Sequence, residues 1–119
     1  MNTFFGVAID CADAAAVANF WAEVLGRQVA VHPTREDAVV LVDNTGVHGP
    51  RLAFHHVPEP KTVKNRLHLD LITTEFEAEA DRLVALGAQK VRDLEQGGTR
   101  WTTFRDIEGN EFDLIASAA

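Results

Sequence analysis

The chain contains the same order of predicted elements twice, and this internal repeat restricts the fold more than any other feature of the sequence. In each half a strand leads into an amphipathic helix that ends at a glycine, and three more strands follow. Aligning Gly6 with His68 brings the two helix-ending glycines, Gly26 and Gly87, within one residue of each other. A tandem duplication of one βαβββ module is the simplest explanation.

The first module combines four short apolar strands with one helix. Asp13 is a suitable N-cap and Gly26 a suitable C′ residue for a helix over residues 14–25, whose apolar stripe includes Val17 and Trp21. We predict strands over residues 4–9, 27–31, 38–42 and 51–57, with a loop over residues 43–46.

The second module starts with a strand of strict alternation, at residues 65–72. Leu67 and Leu69 face one side of this strand, whereas His68 and Asp70 face the other. The leucine side needs a covering helix, because an apolar row is stable only when it is buried. The opposite side, with an imidazole next to a carboxylate, is the predicted functional face.

The second helix is predicted over residues 75–86 and ends at Gly87. Thr74 and Glu77 have the form of a capping box, with Thr74 as the N-cap and Glu77 reaching back to it. We predict the strands of this module over residues 66–73, 88–94, 99–105 and 111–116, with residues 106–110 as the turn between the last two.

These elements predict the α+β class, with two tandem βαβββ modules forming an eight-stranded curled sheet around a cavity. We expect a single domain over residues 1–119, built from modules at 1–58 and 65–119 that a linker at 59–64 joins, and we expect no parallel strand pairs. The apolar residues predicted to pack between sheet and helix are Phe5, Val7, Ile9, Val17, Trp21, Leu52 and Phe54 in the first module, and Leu67, Leu69, Leu71, Phe76, Leu83, Phe112 and Leu114 in the second.

Composition and charge narrow the class of partner. The chain is 46% hydrophobic, enough for a core without disulfides, and its single cysteine, Cys11, excludes an intramolecular disulfide. A formal net charge of −7 argues against a nucleic-acid surface. No apolar run approaches the ~20 residues that cross a bilayer. We therefore predict a cytoplasmic protein with a small-molecule partner and neither a nucleic-acid nor a membrane partner.

Two segments of the second module carry a family resemblance. Its first strand opens with His68 and its helix ends Leu86-Gly87-Ala88, while residues 104–114 read Phe-Arg-Asp-Ile-Glu-Gly-Asn-Glu-Phe-Asp-Leu. With the two βαβββ halves, these features resemble the vicinal oxygen chelate superfamily, which includes glyoxalase I, bleomycin resistance proteins and extradiol dioxygenases. The chain is more specifically similar to the glyoxalase-like domains of actinobacteria. The fold hosts lyases, dioxygenases, epimerases and binding proteins, so the resemblance implies the fold more strongly than an activity.

The resemblance implies metal ligands on the first and fourth strands of each half. The aligned positions are Gly6, which has no donor atom, a position near His55, then His68, and finally Asp113, where metal-dependent members usually carry glutamate. His55, His68 and Asp113 are therefore candidate ligands of one divalent ion, Zn²⁺, Ni²⁺ or Fe²⁺. The missing donor at Gly6 and the shorter side chain of Asp113 favour a pocket without a tightly bound metal.

Other inward-facing residues are predicted to contact a ligand. Trp101 has the opposite parity to Phe104, so its indole is predicted to line the cavity and stack on a planar ligand, with core packing as the alternative. The predicted ligand-binding residues are Asp10, Arg66, His68, Asp70, Trp101 and Asp113. Asp10 and Asp70 are also the candidates for a catalytic carboxylate, and a salt bridge at a strand end is the alternative role of Asp10.

Two functions from different classes remain open. The preferred one is a metal-free protein that binds a small planar or aromatic compound, as bleomycin resistance proteins do. The alternative is a metal-dependent enzyme in which a carboxylate moves a proton, a glyoxalase-type lyase or isomerase in preference to an extradiol-type dioxygenase. The resemblance also implies a homodimer, for which exposed strand edges give a physical reason.

Overall fold

The structure is a computed structural model that describes residues 1–32, 34–35, 38–42 and 50–118. The predicted loop at residues 43–46 lies outside the described residues. The chain divides into two compact units, Met1–Pro60 and Lys61–Ala119, each with one helix and one four-stranded sheet. The organisation as one domain with a linker at 59–64 stays a prediction.

The N-terminal unit contains one helix and four strands: β1 (Gly6–Cys11), α1 (Ala14–Leu25), β2 (Gln28–Val31), β3 (Ala38–Val42) and β4 (Arg51–His56). The strand order in its sheet is β1-β4-β3-β2, with β1 parallel to β4 and the other pairs antiparallel. The C-terminal unit repeats this arrangement with β5 (Leu69–Thr73), α2 (Phe76–Ala85), β6 (Gln89–Gln96), β7 (Thr99–Arg105) and β8 (Glu111–Ala116), in the order β5-β8-β7-β6.

The α+β class and the two βαβββ modules are confirmed, and the eight strands are divided equally between two hydrogen-bonded sheets. The expectation of no parallel pairs was wrong, because the first strand of each module pairs in parallel with the last. In each module a helix follows the first strand, and three antiparallel strands follow the helix. The helix lets the chain cross over, so the first strand can pair in parallel with the last of these three. None of the helices in the described part of the chain is long and apolar enough to span a membrane.

The two helices differ at their N-termini. Asp13 caps α1 as predicted, since its Oδ1 accepts a hydrogen bond from the Ala16 N–H at 3.0 Å. The capping box predicted at Thr74 was wrong: the N-cap residue of α2 is Glu75, which makes no side-chain capping bond. The hydroxyl of Thr73 instead accepts from the Glu75 N–H at 3.0 Å, which leaves α2 to start one residue later than the pattern indicated.

Each unit buries large side chains between its sheet and its helix. Trp21 and Phe54 are fully buried in the N-terminal unit, and Phe104 and Phe112 stack at 5.6 Å in the C-terminal unit. Two predicted core residues are in fact exposed, Phe5 at 69% and Leu67 at 86%. Both precede the first residues of β1 and β5, so they lie outside the paired part of the sheet and no helix covers them. The next residues of the same parity, Val7, Ile9, Leu69 and Leu71, are half-buried.

Candidate functional site

One face of the C-terminal sheet carries its side chains in rows that cross all four strands. We call it the open face, because it lies opposite the face that buries Phe104 and Phe112. Strand register aligns four residues across it as a polar row, consisting of Asp70 on β5, Asp113 on β8, Thr103 on β7 and Arg92 on β6. An apolar row lies two residues away along the strands and consists of Ile72, Ile115, Trp101 and Leu94. Alternation along each strand places the two rows side by side.

A break in the β6–β7 ladder decides which β6 residue joins the polar row. Lys90 pairs with Phe104, but Arg92, not Val91, pairs with Thr103, so the register shifts by one residue. In a regular strand Val91 would lie opposite Thr103 and Arg92 would point to the buried face. The irregularity therefore turns Arg92 onto the open face, as β-bulges do when they re-aim a side chain.

Residues from both rows line a cavity of about 260 Å³ on the open face. Its polar lining consists of Lys64, His68, Arg92, Thr103, Glu111 and Asp113. Its apolar lining is Leu94 and Trp101. A concave site with one aromatic ring and several convergent polar groups is the usual form of a small-molecule site.

His68 joins two carboxylates at one end of the cavity. Its Nδ1 lies 2.8 Å from Asp70 Oδ1 and 4.0 Å from Asp113 Oδ2. A carboxylate accepts hydrogen bonds, so Nδ1 carries the proton and Nε2 is the acceptor of a neutral ring. One donor atom from each of the three residues lies within 4.8 Å of the others, close enough to hold a cation. The same cluster can therefore orient an imidazole or bind a divalent ion.

A pair of threonines on β7 fixes carboxylates on both faces of the sheet. Thr103 donates its hydroxyl hydrogen bond to Asp113 Oδ1 at 2.7 Å, which holds this carboxylate in the polar row. Thr102, which is fully buried, donates to Asp93 Oδ1 at 2.5 Å on the other face. The Thr102 hydroxyl is the main reason that the pKa of Asp93 lies below its usual value, with Lys90 adding to the effect.

Contacts from the segment before β5 hold the edge of the cavity. Lys64 Nζ lies 3.2 Å from Glu111 Oε1, and this hydrogen bond is the main cause that lowers the pKa of Glu111. Asn65 Oδ1 accepts from the Glu111 N–H at 2.9 Å, and Asn65 Nδ2 donates to Asn110 Oδ1 at 3.1 Å. The predicted turn at 106–110 is confirmed, with buried Asp106 accepting from the N–H groups of Glu108 and Asn110.

The equivalent row of the N-terminal sheet has no polar side chain. Its register aligns Ala8 on β1, Ala53 on β4, Val40 on β3 and Ala30 on β2. Ala53 thus occupies the position in the first module that Asp113 occupies in the second. The chemistry of the polar row is therefore confined to the C-terminal module.

The candidate ligands from the first module lie elsewhere on the N-terminal sheet. Asp10 and His55 are register partners two residues beyond Ala8 and Ala53. His55 Nδ1 accepts from Arg35 Nη1 at 2.9 Å, and His55 Nε2 is buried without a hydrogen-bond partner among the described residues. At Gly6, a Cβ would lie 2.5 Å from the backbone oxygen of Arg51. This position therefore excludes every side chain, not only a metal ligand.

The sequence-predicted residues separate into three groups. His68, Trp101 and Asp113 line the cavity, and Asp70 contacts His68 without lining it. Arg66 is exposed and does not line the cavity, while Asp10 and His55 belong to the N-terminal unit. Sequence reasoning missed five lining residues: Lys64, Arg92, Leu94, Thr103 and Glu111. Strand parity from Trp101 and Asp113 was a sufficient signal for Thr103 and Glu111, whereas the register shift hid Arg92.

Comparison with known proteins gives one family and many structures of the same fold. A family model described as "Glyoxalase-like domain" matches residues 6–115. No curated protein sequence matches the chain. A glyoxalase/bleomycin resistance protein/dioxygenase family enzyme from Burkholderia phytofirmans PsJN is 18% identical, with a TM-score of 0.77, and the match covers 98% of this chain and 100% of that one.

Two further structures show the same fold at lower identity. A hypothetical protein from S. aureus is 15% identical with a TM-score of 0.77, over 98% of this chain and 95% of that one. A mutant of the fosfomycin resistance protein FosX from Listeria monocytogenes, complexed with Mn(II) and a dihydroxypropylphosphonic acid, is 12% identical with a TM-score of 0.78, over 99% and 92%. Identities this low show the fold alone. The family match over almost the whole chain goes further: this protein belongs to the glyoxalase-like domain family of the vicinal oxygen chelate superfamily.

Proposed function

We propose that this protein binds a small planar organic molecule in the cavity of its C-terminal sheet, without a tightly bound metal ion. The observation that carries the proposal is the composition of the cavity. Trp101 and Leu94 offer an apolar surface to a ring, and the adjacent polar row offers donors and acceptors to its substituents. An aromatic face next to fixed polar groups gives both affinity and orientation.

The state of the candidate metal ligands supports binding without a metal. His68 is engaged with Asp70, and Asp113 accepts a hydrogen bond from Thr103. The first module offers Ala53 where the second has Asp113, and its Gly6 position cannot take a side chain without a shift of the Arg51 backbone. By strand register, the first-module equivalents of His68 and Asp113 are thus Gly6 and Ala53, and neither has a donor atom.

The alternative function is a metal-dependent enzyme, and one observation favours it. His68, Asp70 and Asp113 bring an imidazole nitrogen and two carboxylate oxygens within 4.8 Å of one another, a donor set that fits Zn²⁺, Ni²⁺ or Fe²⁺. A bound divalent ion would supply Lewis-acid polarisation of a substrate oxygen. In that case His68, Asp70 and Asp113 would hold the ion, and a glyoxalase-type lyase or isomerase would be favoured over a dioxygenase.

Elemental analysis of the protein, purified without a histidine tag and without chelators, tests the metal. We expect much less than one equivalent of zinc, nickel or iron. About one equivalent in the wild type that is lost in His68→Ala and kept in His56→Ala would instead establish the metal site. His56 is the matched control because it is an exposed histidine of the N-terminal unit.

A thermal-shift screen of small aromatic compounds tests the binding function. We expect hits whose stabilisation is lost in Trp101→Ala and largely kept in Trp101→Phe, because a phenyl ring can still stack. His68→Ala should reduce the shift and His56→Ala should not. Hits that are indifferent to both Trp101→Ala and His68→Ala would place the binding site elsewhere.

We also propose a homodimer. In the part of the chain that the structure describes, each sheet ends in strands that pair on one side, β1 and β2 in one unit and β5 and β6 in the other. Large apolar side chains are exposed as well, Val31 at 84% and Leu67 at 86%. Unpaired strand edges and exposed apolar groups both favour association. The cytoplasmic location expected from the sequence stays a prediction.

A further inference from the structure

Arg92 is a cation that lines the cavity and has no ionic partner among the described residues. Within the ranges that the structure describes, its guanidinium has no hydrogen bond and no ion pair. The other cation that lines the cavity, Lys64, is paired with Glu111 at 3.2 Å. Arg92 is therefore the lining group whose charge is available to a ligand.

Most neighbouring cations of the same unit are already paired. Arg82 pairs with Glu79, Lys90 with Asp93, and Arg100 with Glu77, at distances between 2.7 and 3.4 Å. Carboxylates are thus common on this acidic chain, and these three cations are paired with them. Arg92 lies two strands away from Asp113 in the polar row, with the neutral Thr103 between them.

The strand geometry aims Arg92 at the cavity. The register shift between Lys90 and Arg92 interrupts a regular ladder, and its result is that Arg92 joins the open face. An irregular strand loses ladder hydrogen bonds, and such irregularities recur next to binding sites, where they direct a side chain. The position of Arg92 is thus a local departure from the regular sheet.

We infer that the cavity binds an aromatic monocarboxylate, with the carboxylate on Arg92 and the ring against Trp101. This inference rests on the proposed function and names its ligand class. Arg92 and Trp101 lie on adjacent rows of the open face, one register step apart on β6 and β7. A guanidinium binds the two oxygens of a carboxylate through parallel N–H bonds, and an indole face accepts a planar ring.

The charge and the size of the cavity restrict the ligand further. The lining carries two cations, Lys64 and Arg92, and two carboxylates, Glu111 and Asp113, so its fixed charges cancel. A single negative charge suits Arg92, whereas a dianion such as an arylphosphonate would be repelled by Asp113. The volume of about 260 Å³ lies below the range of about 300–1,000 Å³ that is usual for drug-sized ligands, which favours small probes.

Calorimetric titration of the full chain with matched probes tests the inference. The probes are benzoate, 2-naphthoate and indole-3-carboxylate, each with its neutral carboxamide, and phenylphosphonate, titrated at a pH at which it has lost its second proton, as the dianion. We expect the best acid to bind about tenfold or more tightly than its amide. Arg92→Gln should remove this preference by weakening the acid and not the amide, and Arg92→Lys should restore part of it. Phenylphosphonate should bind more weakly than benzoate.

Arg82→Gln is the matched control. It removes one positive charge from α2, as Arg92→Gln removes one from β6, and it should keep the preference for the acid over its amide. An acid preference that survives in Arg92→Gln, or that is equally lost in Arg82→Gln, would overturn the inference. A third outcome is that the acid and its amide bind equally to the wild type and that Trp101→Ala abolishes the binding of each. This outcome would overturn the role of Arg92 and leave the proposed function standing. No Trp101-dependent binding of any probe or screening compound would overturn both. Tighter binding of phenylphosphonate would assign the site to a dianion and refute the monocarboxylate.

Discussion

Thr102 and Thr103 are adjacent on β7, and their hydroxyls hold carboxylates on opposite faces of the C-terminal sheet. Thr103 binds Asp113 in the cavity, and Thr102 binds Asp93 on the other face. Because successive side chains of a strand point in opposite directions, one dipeptide serves both faces. A hydroxyl of this kind fixes a carboxylate without adding a charge, which keeps Asp113 oriented while its second oxygen faces His68.

The two threonines allow a matched test of how the hydroxyl acts on its carboxylate. In Thr102→Val we expect the pKa of Asp93 to rise toward its ordinary value of 3.8, measured by NMR titration of the carboxyl carbon. The lowered pKa belongs to the folded state, so the hydroxyl stabilises the fold above the unfolded pKa and this contribution is lost as the pH falls through the folded pKa. The stability difference between wild type and Thr102→Val should therefore be present at pH 7 and shrink below about pH 4.

Thr103→Val is the control for that titration. It removes the hydroxyl next in sequence and leaves Thr102 and Lys90 beside Asp93, so the pKa of Asp93 should stay low. An equal rise in both variants would mean that the change spreads through the backbone of β7 and does not come from the lost hydrogen bond.

At the scale of elements, the sequence predicted which elements form better than it predicted how they pair. Periodicity and glycines located all eight strands and both helices, and strand parity placed His68, Trp101 and Asp113 on one face. Arg92 could not be found in this way, because a register shift is set by how two strands meet and not by the alternation of one of them.

The start of α2 shows a second limit of sequence patterns. A Thr-x-x-Glu motif is present, but the hydroxyl that contacts the helix start is that of Thr73, one residue earlier. Thr73 is the last residue of β5, and the chain turns directly from this strand into the helix. The hydrogen bond of its hydroxyl to the Glu75 N–H is local to this turn and replaces the predicted cap at Thr74. Two adjacent threonines offer two local geometries at the helix start, and the structure has the one made by Thr73.

The two N-caps predict different costs of substitution. Asp13→Ala should lower the free energy of unfolding by about 1 kcal/mol, because it removes the side-chain bond to the Ala16 N–H. Glu75→Ala should change it by less than about 0.5 kcal/mol, since no capping bond is lost. Urea denaturation measures both. A cost of about 1 kcal/mol for Thr74→Ala would restore the capping box that the sequence indicated.

At the scale of the whole molecule, the two modules share a strand order and differ in what their equivalent rows carry. The second module has Asp, Asp, Thr and Arg where the first has Ala, Ala, Val and Ala. The repeated backbone thus carries a polar row in one copy only. Alignment of the halves predicted the order of elements and parity predicted Asp113, but the full row with Thr103 and Arg92 became visible only from the strand register.

The proposed dimer makes a prediction for the whole molecule. Light scattering over a range of protein concentrations should give twice the mass of the 13.1 kDa chain. Leu67→Lys should shift the protein toward the monomer, because Leu67 is a large apolar side chain that is almost fully exposed before the edge strand β5. Val84→Lys on α2 is the control, and a wild-type monomer at the highest concentration would refute the dimer.

The closed position at Gly6 restricts how this chain can change over time. A Cβ there would meet the backbone oxygen of Arg51, so no single substitution can place a histidine or glutamate at this point without first moving β1 away from β4. A lineage that carries this glycine gains a donor atom at this position only together with a shift of β1 or of the Arg51 backbone. New activities are accordingly more accessible by mutation on the second module, where the polar row already tolerates large side chains.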